Sequence, residues 1–223
     1  MAIASIIFDF DGVILQSAEV KTVAFAKLFA DWPNHVGDIV ALHERHAGIS
    51  RYEKFDRIYR DILRIPLSDE TRIQLGQRFS DLALTEVKTC PMVAGALEFL
   101  ESRSARLPCF IASGTPEAEL HDILAHRRLT HLFREAHGSP KKKGAIGRDI
   151  IARHQLQPET ILFVGDAMTD HDAAVELGVS FLGIVPRDVA SPFPQGTITA
   201  PDLTNLHGHL ERLAAIKPEH QPT

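Results

Sequence analysis

The chain has 223 residues, 44% of them hydrophobic, enough to bury a substantial core in one large domain or in a domain carrying a smaller one. Lys and Arg total 24 against 29 Asp and Glu, a net −5 that argues against nucleic-acid binding through a basic surface. No window approaches the ~18 apolar residues of a membrane span, and the N-terminus lacks a basic, signal-like region, so a cytoplasmic protein with no membrane partner is expected.

The first element is an apolar run, Ile3–Phe8, rich in β-branched and aromatic residues and read as a buried strand. It ends in Asp9-Phe10-Asp11-Gly12-Val13, which brings two carboxylates to the mouth of a sheet. Burying such a pair is costly without a cation or a proton. Asp9 and Asp11 therefore suggest a metal site, a shared proton, or a nucleophile beside an acid; the plainer reading is a strand end turning into solvent. From about Ser17 to Cys90 no strong strand occurs, and helical stretches fall at Glu19–Phe29, Val36–His46, Tyr52–Leu63 and Asp69–Lys88. This length suits a helical subdomain over residues 17–90, inserted into a core of residues 1–16 and 91–223. Cys90 and Cys109 are too few for a disulfide framework and suggest a reducing compartment.

After residue 90, strands and helices alternate, the pattern of a parallel sheet flanked by helices. A short helix at Val93–Leu100 leads to a strand at Leu107–Ala112 that ends in Ser113-Gly114-Thr115. Thr115 is placed as an N-cap and Pro116 as the first residue of the next helix. A weak strand candidate at Leu132–Ala136 and a helix over Ala145–Ile151 follow. Next come a strand at Thr160–Val164 ending in Gly165-Asp166, a helix over Asp170–Leu177 closed by Gly178, and a strand at Ser180–Val185. Six of the 13 prolines lie from Pro186 onward, where one short strand near Gly196–Ala200, a helix over Asn205–Ile216 and a loose tail from Lys217 to Thr223 are expected.

Three strands thus end in polar clusters, and ligands of open α/β sheets bind outside the carboxyl ends of strands. A positioned, desolvated carboxylate can take a phosphoryl group, and Asp9 with Asp166 offers the hard oxygens that suit Mg²⁺. Ser113 and the Gly114 amide, read as sitting at a helix N-terminus, favour an anion. Lys141, Lys142 and Lys143 are candidate cations, although three lysines in a row most often form a solvated turn.

Together, Asp9-Phe10-Asp11-Gly12-Val13, Ser113, a downstream lysine and Gly165-Asp166-x-x-x-Asp170 resemble the haloacid dehalogenase superfamily, in order and across the whole core. The resemblance is to the branch of phosphoglycolate phosphatase and β-phosphoglucomutase, with residues 17–90 as its cap. It implies an α/β, Rossmann-like core and a Mg²⁺-dependent phosphatase acting on a small phosphorylated metabolite, as a monomer or homodimer. By resemblance Asp9 is the nucleophile, and Asp11 is the proton donor and then base, its backbone carbonyl also binding Mg²⁺. Ser113 and Gly114 bind phosphate, and Lys143, with Lys142 as competitor, neutralises charge. Asp166 binds the metal, and Asp170 acts on it directly or from one layer behind. Asp11 separates phosphoryl transfer from dehalogenation, which needs no proton. Lys21, Lys27 and Lys54 lie in the cap without a context that ties them to a phosphonatase lysine.

The run His46-Ala47-Gly48-Ile49-Ser50-Arg51 resembles a cap loop that dips into the site, with Arg51 free to grip a substrate anion; an ordinary interhelix turn is the alternative. The histidines show no His-Glu-x-x-His spacing, and Trp32, Tyr52 and Tyr59 read as packing. His171 stands near enough to the Asp166 loop for a minor role. Two further functions fit the same residues: a sugar phosphomutase, and an idle phosphate-binding module that kept the fold.

Overall fold

The computed structural model describes residues 2–215. The strands are β1 (Ser5–Phe8), β2 (Cys109–Pro116), β3 (Glu135–Ser139), β4 (Ile161–Gly165), β5 (Ser180–Ile184) and β6 (Thr199–Ala200). They form one parallel sheet in the order β3-β2-β1-β4-β5-β6. β1 sits between β2 and β4, so both its edges are paired, and all four of its residues are buried.

The alternation of side chains along β1 divides the core in two. Ile6 and Phe8 join Ile111, Val164 and Leu182 on one face, under α5 (Ala96–Arg103), α6 (Glu117–His126) and α9 (Leu206–Ala215). Ile7 joins Phe110, Ala112 and Phe163 on the other, under α7 (Lys143–His154) and α8 (Met168–Leu177). Helices on both faces of a parallel sheet give the α/β, Rossmann-like architecture expected from the alternation.

Between β1 and β2 the chain forms α1 (Ala18–Leu28), α2 (Val36–Arg45), α3 (Arg51–Arg57), a π-helical turn (Ile58–Leu63) and α4 (Asp69–Thr89). The turn replaces the second half of the helix expected to reach Leu63. These helices pack around Phe25, whose ring centroid lies 4.8 Å from that of Phe79, 4.2 Å from His43 and 5.9 Å from Phe55. Where the chain leaves and re-enters the sheet region, its two crossings pair. The Gln16 N–H donates to the Pro91 carbonyl at 2.9 Å, and the Val93 N–H to the Ile14 carbonyl at 3.0 Å. That pairing keeps residues 91–93 extended, which is why α5 begins at Ala96 and not at Val93.

Two other boundaries moved for identifiable reasons. β2 continues through Ser113 to Pro116, with a register break against β3 between Ala112 and Pro116. Thr115 therefore does not cap α6; its hydroxyl is occupied elsewhere, and Pro116 takes the N-cap position. The weak strand candidate lies three residues later than expected, with Thr130–Leu132 forming a 3₁₀ turn instead. The last helix is described to Ala215; the expected end at Ile216 and the tail from Lys217 to Thr223 lie outside the described residues. Among the described residues no helix is long and apolar enough to cross a membrane.

Candidate active site

Asp9 is placed by the sheet itself. Its N–H donates to the Val164 carbonyl at 2.8 Å, extending the β1–β4 ladder one step past the end of β1. The side chain is 2% exposed; Oδ1 accepts the Phe10 N–H at 2.7 Å, and Oδ2 lies 2.8 Å from Lys143 Nζ. Lys143 opens α7, and its buried ammonium also lies 2.6 Å from Asp170 Oδ1. Asp170, fully buried in the first turn of α8, accepts the Ala167 N–H on its other oxygen at 3.1 Å. The neighbouring lysines go elsewhere: Lys142 is an exposed N-cap and Lys141 pairs with Asp149. The structure thus brings Lys143, and not Lys142, to Asp9.

Asp166 leaves the end of β4 and completes an acidic cluster. One carboxylate oxygen from each of Asp9, Asp166 and Asp170 lies within 4.8 Å of the others. Room for Asp166 comes from Gly12, at φ +77°, because a Cβ there would strike the Asp166 carboxylate. Hard, anionic, clustered oxygens fit Mg²⁺. The Asp11 carboxylate lies outside this cluster, and among the described residues no backbone N–H donates to its carbonyl.

The cluster resists ionisation. Burial, and then the neighbouring Asp170, pushes the Asp9 carboxyl up to about 7, with Lys143 opposing. Burial raises Asp166 and Asp170 as well. For Lys143, burial is outweighed by Asp170 and Asp9, so the ammonium is held above the usual lysine range.

A proton held in the fold to higher pH than in the unfolded chain lowers stability as pH rises. For Asp9 that window runs from its ordinary value, 3.8, to about 7. Burial pushes His43 down to about 3, so its contribution changes in the opposite sense over part of the same range. The informative quantity is therefore the rise in Tm caused by Mg²⁺, because the ion competes with protons only at the carboxylates. We expect that rise to be several degrees at about pH 8, on the order of 2–3 kcal/mol at saturating ion, and clearly smaller at about pH 6. Thermal melts with Mg²⁺ or chelator at the two pH values check this; equal shifts would remove the carboxylates as the site.

Asp11 departs from the expectation that it carries a proton. Its Oδ2 lies 2.5 Å from Lys21 Nζ and accepts the Thr115 hydroxyl at 2.7 Å, while Oδ1 accepts the Ser17 hydroxyl at 2.6 Å. Burial alone would raise its pKa, but the Lys21 charge and these hydrogen bonds prevail and hold the carboxyl down at about 2. In this arrangement Asp11 is an ionised, fully partnered carboxylate.

Ser113 is fully buried at the β2 break, where its Oγ accepts the Thr115 N–H at 3.0 Å. It precedes α6 by four residues and does not sit at the helix N-terminus as expected. Gly114 lines the same cavity as Asp9, Asp11 and Asp166, a space of about 430 Å³. The 46–51 loop closes over this point. Gly48, at φ +80°, approaches so closely that a Cβ would meet the Thr169 hydroxyl and would lie 3.1 Å from Lys143 Nζ. Arg51, however, is not free to grip a substrate anion. Its guanidinium makes a two-pronged contact with Glu119 of α6, at 2.9 and 2.5 Å, donates to Ser80 at 2.8 Å, and stacks on Phe79. His171 packs against Phe181 and Phe193, and among the described residues its buried Nδ1 has no hydrogen-bond partner.

Four further polar residues to which the sequence assigned no role stand near the site: Ser17, Lys21, His43 and Lys54. Lys21 also donates to the Thr115 hydroxyl at 2.7 Å, tying α1 to β2. Lys54 is 4% exposed and lines the cavity; burial, and then the Lys21 charge, brings its amine down to about 7. No local motif marks these residues; only the helix faces, fixed by packing around Phe25, bring them together.

A parallel sheet flanked by helices carries a buried carboxylate, a lysine and an acidic cluster at its carboxyl edge, where α/β proteins of this class hold their ligands. A model of the haloacid dehalogenase-like hydrolases matches residues 3–178, and the chain belongs to that family. It is 30% identical over 178 residues to a phosphoglycolate phosphatase of Synechococcus elongatus, covering 78% of this chain and 80% of that protein. In fold it is similar to a hydrolase from Pseudomonas syringae, with a TM-score of 0.75, 18% identity, and 94% and 98% of the two chains covered. CbbY from Rhodobacter sphaeroides, solved in complex with phosphate, gives 0.69 at 14% identity, with 92% and 96% covered.

Proposed function

We propose that the protein is a Mg²⁺-dependent phosphatase that hydrolyses a small phosphorylated metabolite through a phosphoaspartate on Asp9. The observation that carries this reading is the Asp9–Lys143–Asp170 contact, with Asp166 beside it, where Asp9 and Asp166 line a cavity. The 30% identical phosphoglycolate phosphatase makes phosphoglycolate-like esters the first substrates to try.

On this reading Asp9 Oδ attacks phosphorus while the ester oxygen departs. Lys143 neutralises the nucleophile and the equatorial phosphate oxygens, and Ser113 and the Gly114 amide hold one of them. Asp9, Asp166 and Asp170, with the Asp11 carbonyl, would hold Mg²⁺, which when bound supplies charge neutralisation at the phosphoryl group. Ionised Asp11 is ready for the second half, taking a proton from the water that opens the phosphoaspartate. In the first half the leaving oxygen needs a proton, which Asp11 acquires only when substrate charge raises its affinity for one. Residues 17–90 act as the cap: Gly48 and the Arg51–Glu119 pair seat the loop over the site and exclude water.

The test is phosphate release from a panel of phosphomonoesters. With Mg²⁺ the protein is expected to liberate phosphate from at least one short ester, and chelator to reduce the rate by at least ~100-fold. Hexose-phosphate isomerisation without phosphate release would favour a phosphomutase; neither activity would leave a binding module.

A further inference from the structure

Three basic side chains reach the cavity above Asp9: Lys21, Arg51 and Lys54. Two are neutralised inside the protein, Lys21 by Asp11 and Arg51 by Glu119. Lys54 differs. Its Nζ donates to the His43 carbonyl at 3.1 Å and lies 2.9 Å from His43 Nδ1, which must accept because an ammonium only donates. Among the described residues it makes no ion pair with a carboxylate. Its other near neighbour is the Phe25 ring, 5.5 Å away. A buried amine with neutral partners and one N–H unassigned is a destabilising arrangement, and an incoming anion would relieve it.

Asp9, Asp11, Gly114 and Asp166 line the same cavity from the strand ends and Lys54 lines it from α3, so a group that meets Lys54 belongs to the leaving portion of the ester. We propose that Lys54 is a specificity-determining residue that pairs with a second anionic group on the leaving portion of the ester. The substrates are then short phosphomonoesters that also carry a carboxylate or a second phosphate. This rests on the phosphatase reading above. It also moves anion recognition from Arg51, whose two prongs Glu119 occupies, to a lysine one helical turn further along α3. The lowered proton affinity of Lys54 supports the same view, since a paired anion would restore its charge.

The experiment compares kcat/KM for phosphate release by wild type, Lys54→Met and Lys54→Gln. The four substrates are 2-phosphoglycolate for a carboxylate, glucose 1,6-bisphosphate for a second phosphate, and glycerol 3-phosphate and p-nitrophenyl phosphate as controls whose leaving portion carries no anion. Wild type should prefer one of the anionic esters to glycerol phosphate by at least about tenfold, and whichever it is identifies the second anion. Both variants should lose about 30- to 100-fold on that ester and less than about threefold on the controls, with the loss mainly in KM. Lys54→Met removes a buried charge, so its Tm should equal or exceed that of wild type. Equal losses on esters with and without the second anion, or a wild-type preference for glycerol phosphate, would overturn the proposal while leaving the phosphatase reading intact. Absence of phosphate release from all four esters would overturn both.

Discussion

Asp9→Asn is expected to lower the rate of phosphate release by at least ~10³-fold while leaving the protein as stable as wild type or more so. An amide of nearly the same shape still accepts the Phe10 N–H, so the turn after β1 keeps its geometry. It cannot, however, form an acyl phosphate. For stability the expected effect has the opposite sign. Burial and Asp170 make the Asp9 carboxylate hard to ionise, and a neutral amide removes one charge from a cluster of three. Metal-free melts near neutral pH should therefore show an equal or higher Tm, and the rise in Tm with Mg²⁺ should shrink because one ligand is lost. Phosphate release from p-nitrophenyl phosphate, read alongside these melts, separates the two effects. Equal activity in variant and wild type would remove Asp9 as the nucleophile; a large fall in Tm would mean that its role is structural.

The sheet and the residues at its mouth were legible in the sequence because they obey short-range rules. A buried parallel strand is a short apolar run, and it stops where the chain must turn, so Ile3–Phe8 and Thr160–Val164 announced Asp9 and Asp166 directly. What the sequence did not reveal depends on faces and distances. Lys21 meets Asp11 from ten residues away, and Glu119 meets Arg51 from 68, across the boundary between the helical insertion and the sheet. Nothing local distinguishes these side chains from a solvated charge. Thr115 shows the same limit in reverse: beside Pro116 it fits an N-cap, yet the hydrogen bond to Asp11 claims its hydroxyl and lets β2 run on. Lys143 is intermediate. Spacing singled it out from three lysines only by resemblance, and burial at the start of α7 beside Asp9 and Asp170 supplies the physical reason.

Lys143→Met, by contrast, should damage activity and folding together. Phosphate release should fall by at least ~10³-fold, because the cation that faces both nucleophile and phosphate is gone. Stability near neutral pH should fall by about 3–5 kcal/mol, the usual cost of removing one partner from a buried ionic group. Lys143 is 6% exposed and lies between Asp9 and Asp170, so no water takes its place easily. The sign of the pH dependence follows. Without the ammonium, the raised carboxyls of Asp9, Asp166 and Asp170 rise further, so the fold binds more protons than the unfolded chain over a wider range. The deficit in Tm should accordingly be small at about pH 5 and grow toward pH 8, and Mg²⁺ should restore part of the Tm but not the activity. Lys142→Met is the matched control: an exposed N-cap side chain should change stability by less than ~0.5 kcal/mol. Melts at the two pH values with both variants decide the matter. If Lys142→Met proved the damaging change and Lys143→Met the silent one, the charge balance assigned to this site would be wrong. The contrast with Asp9→Asn tests the same balance, since removing an anion should relax the cluster that removing the cation breaks.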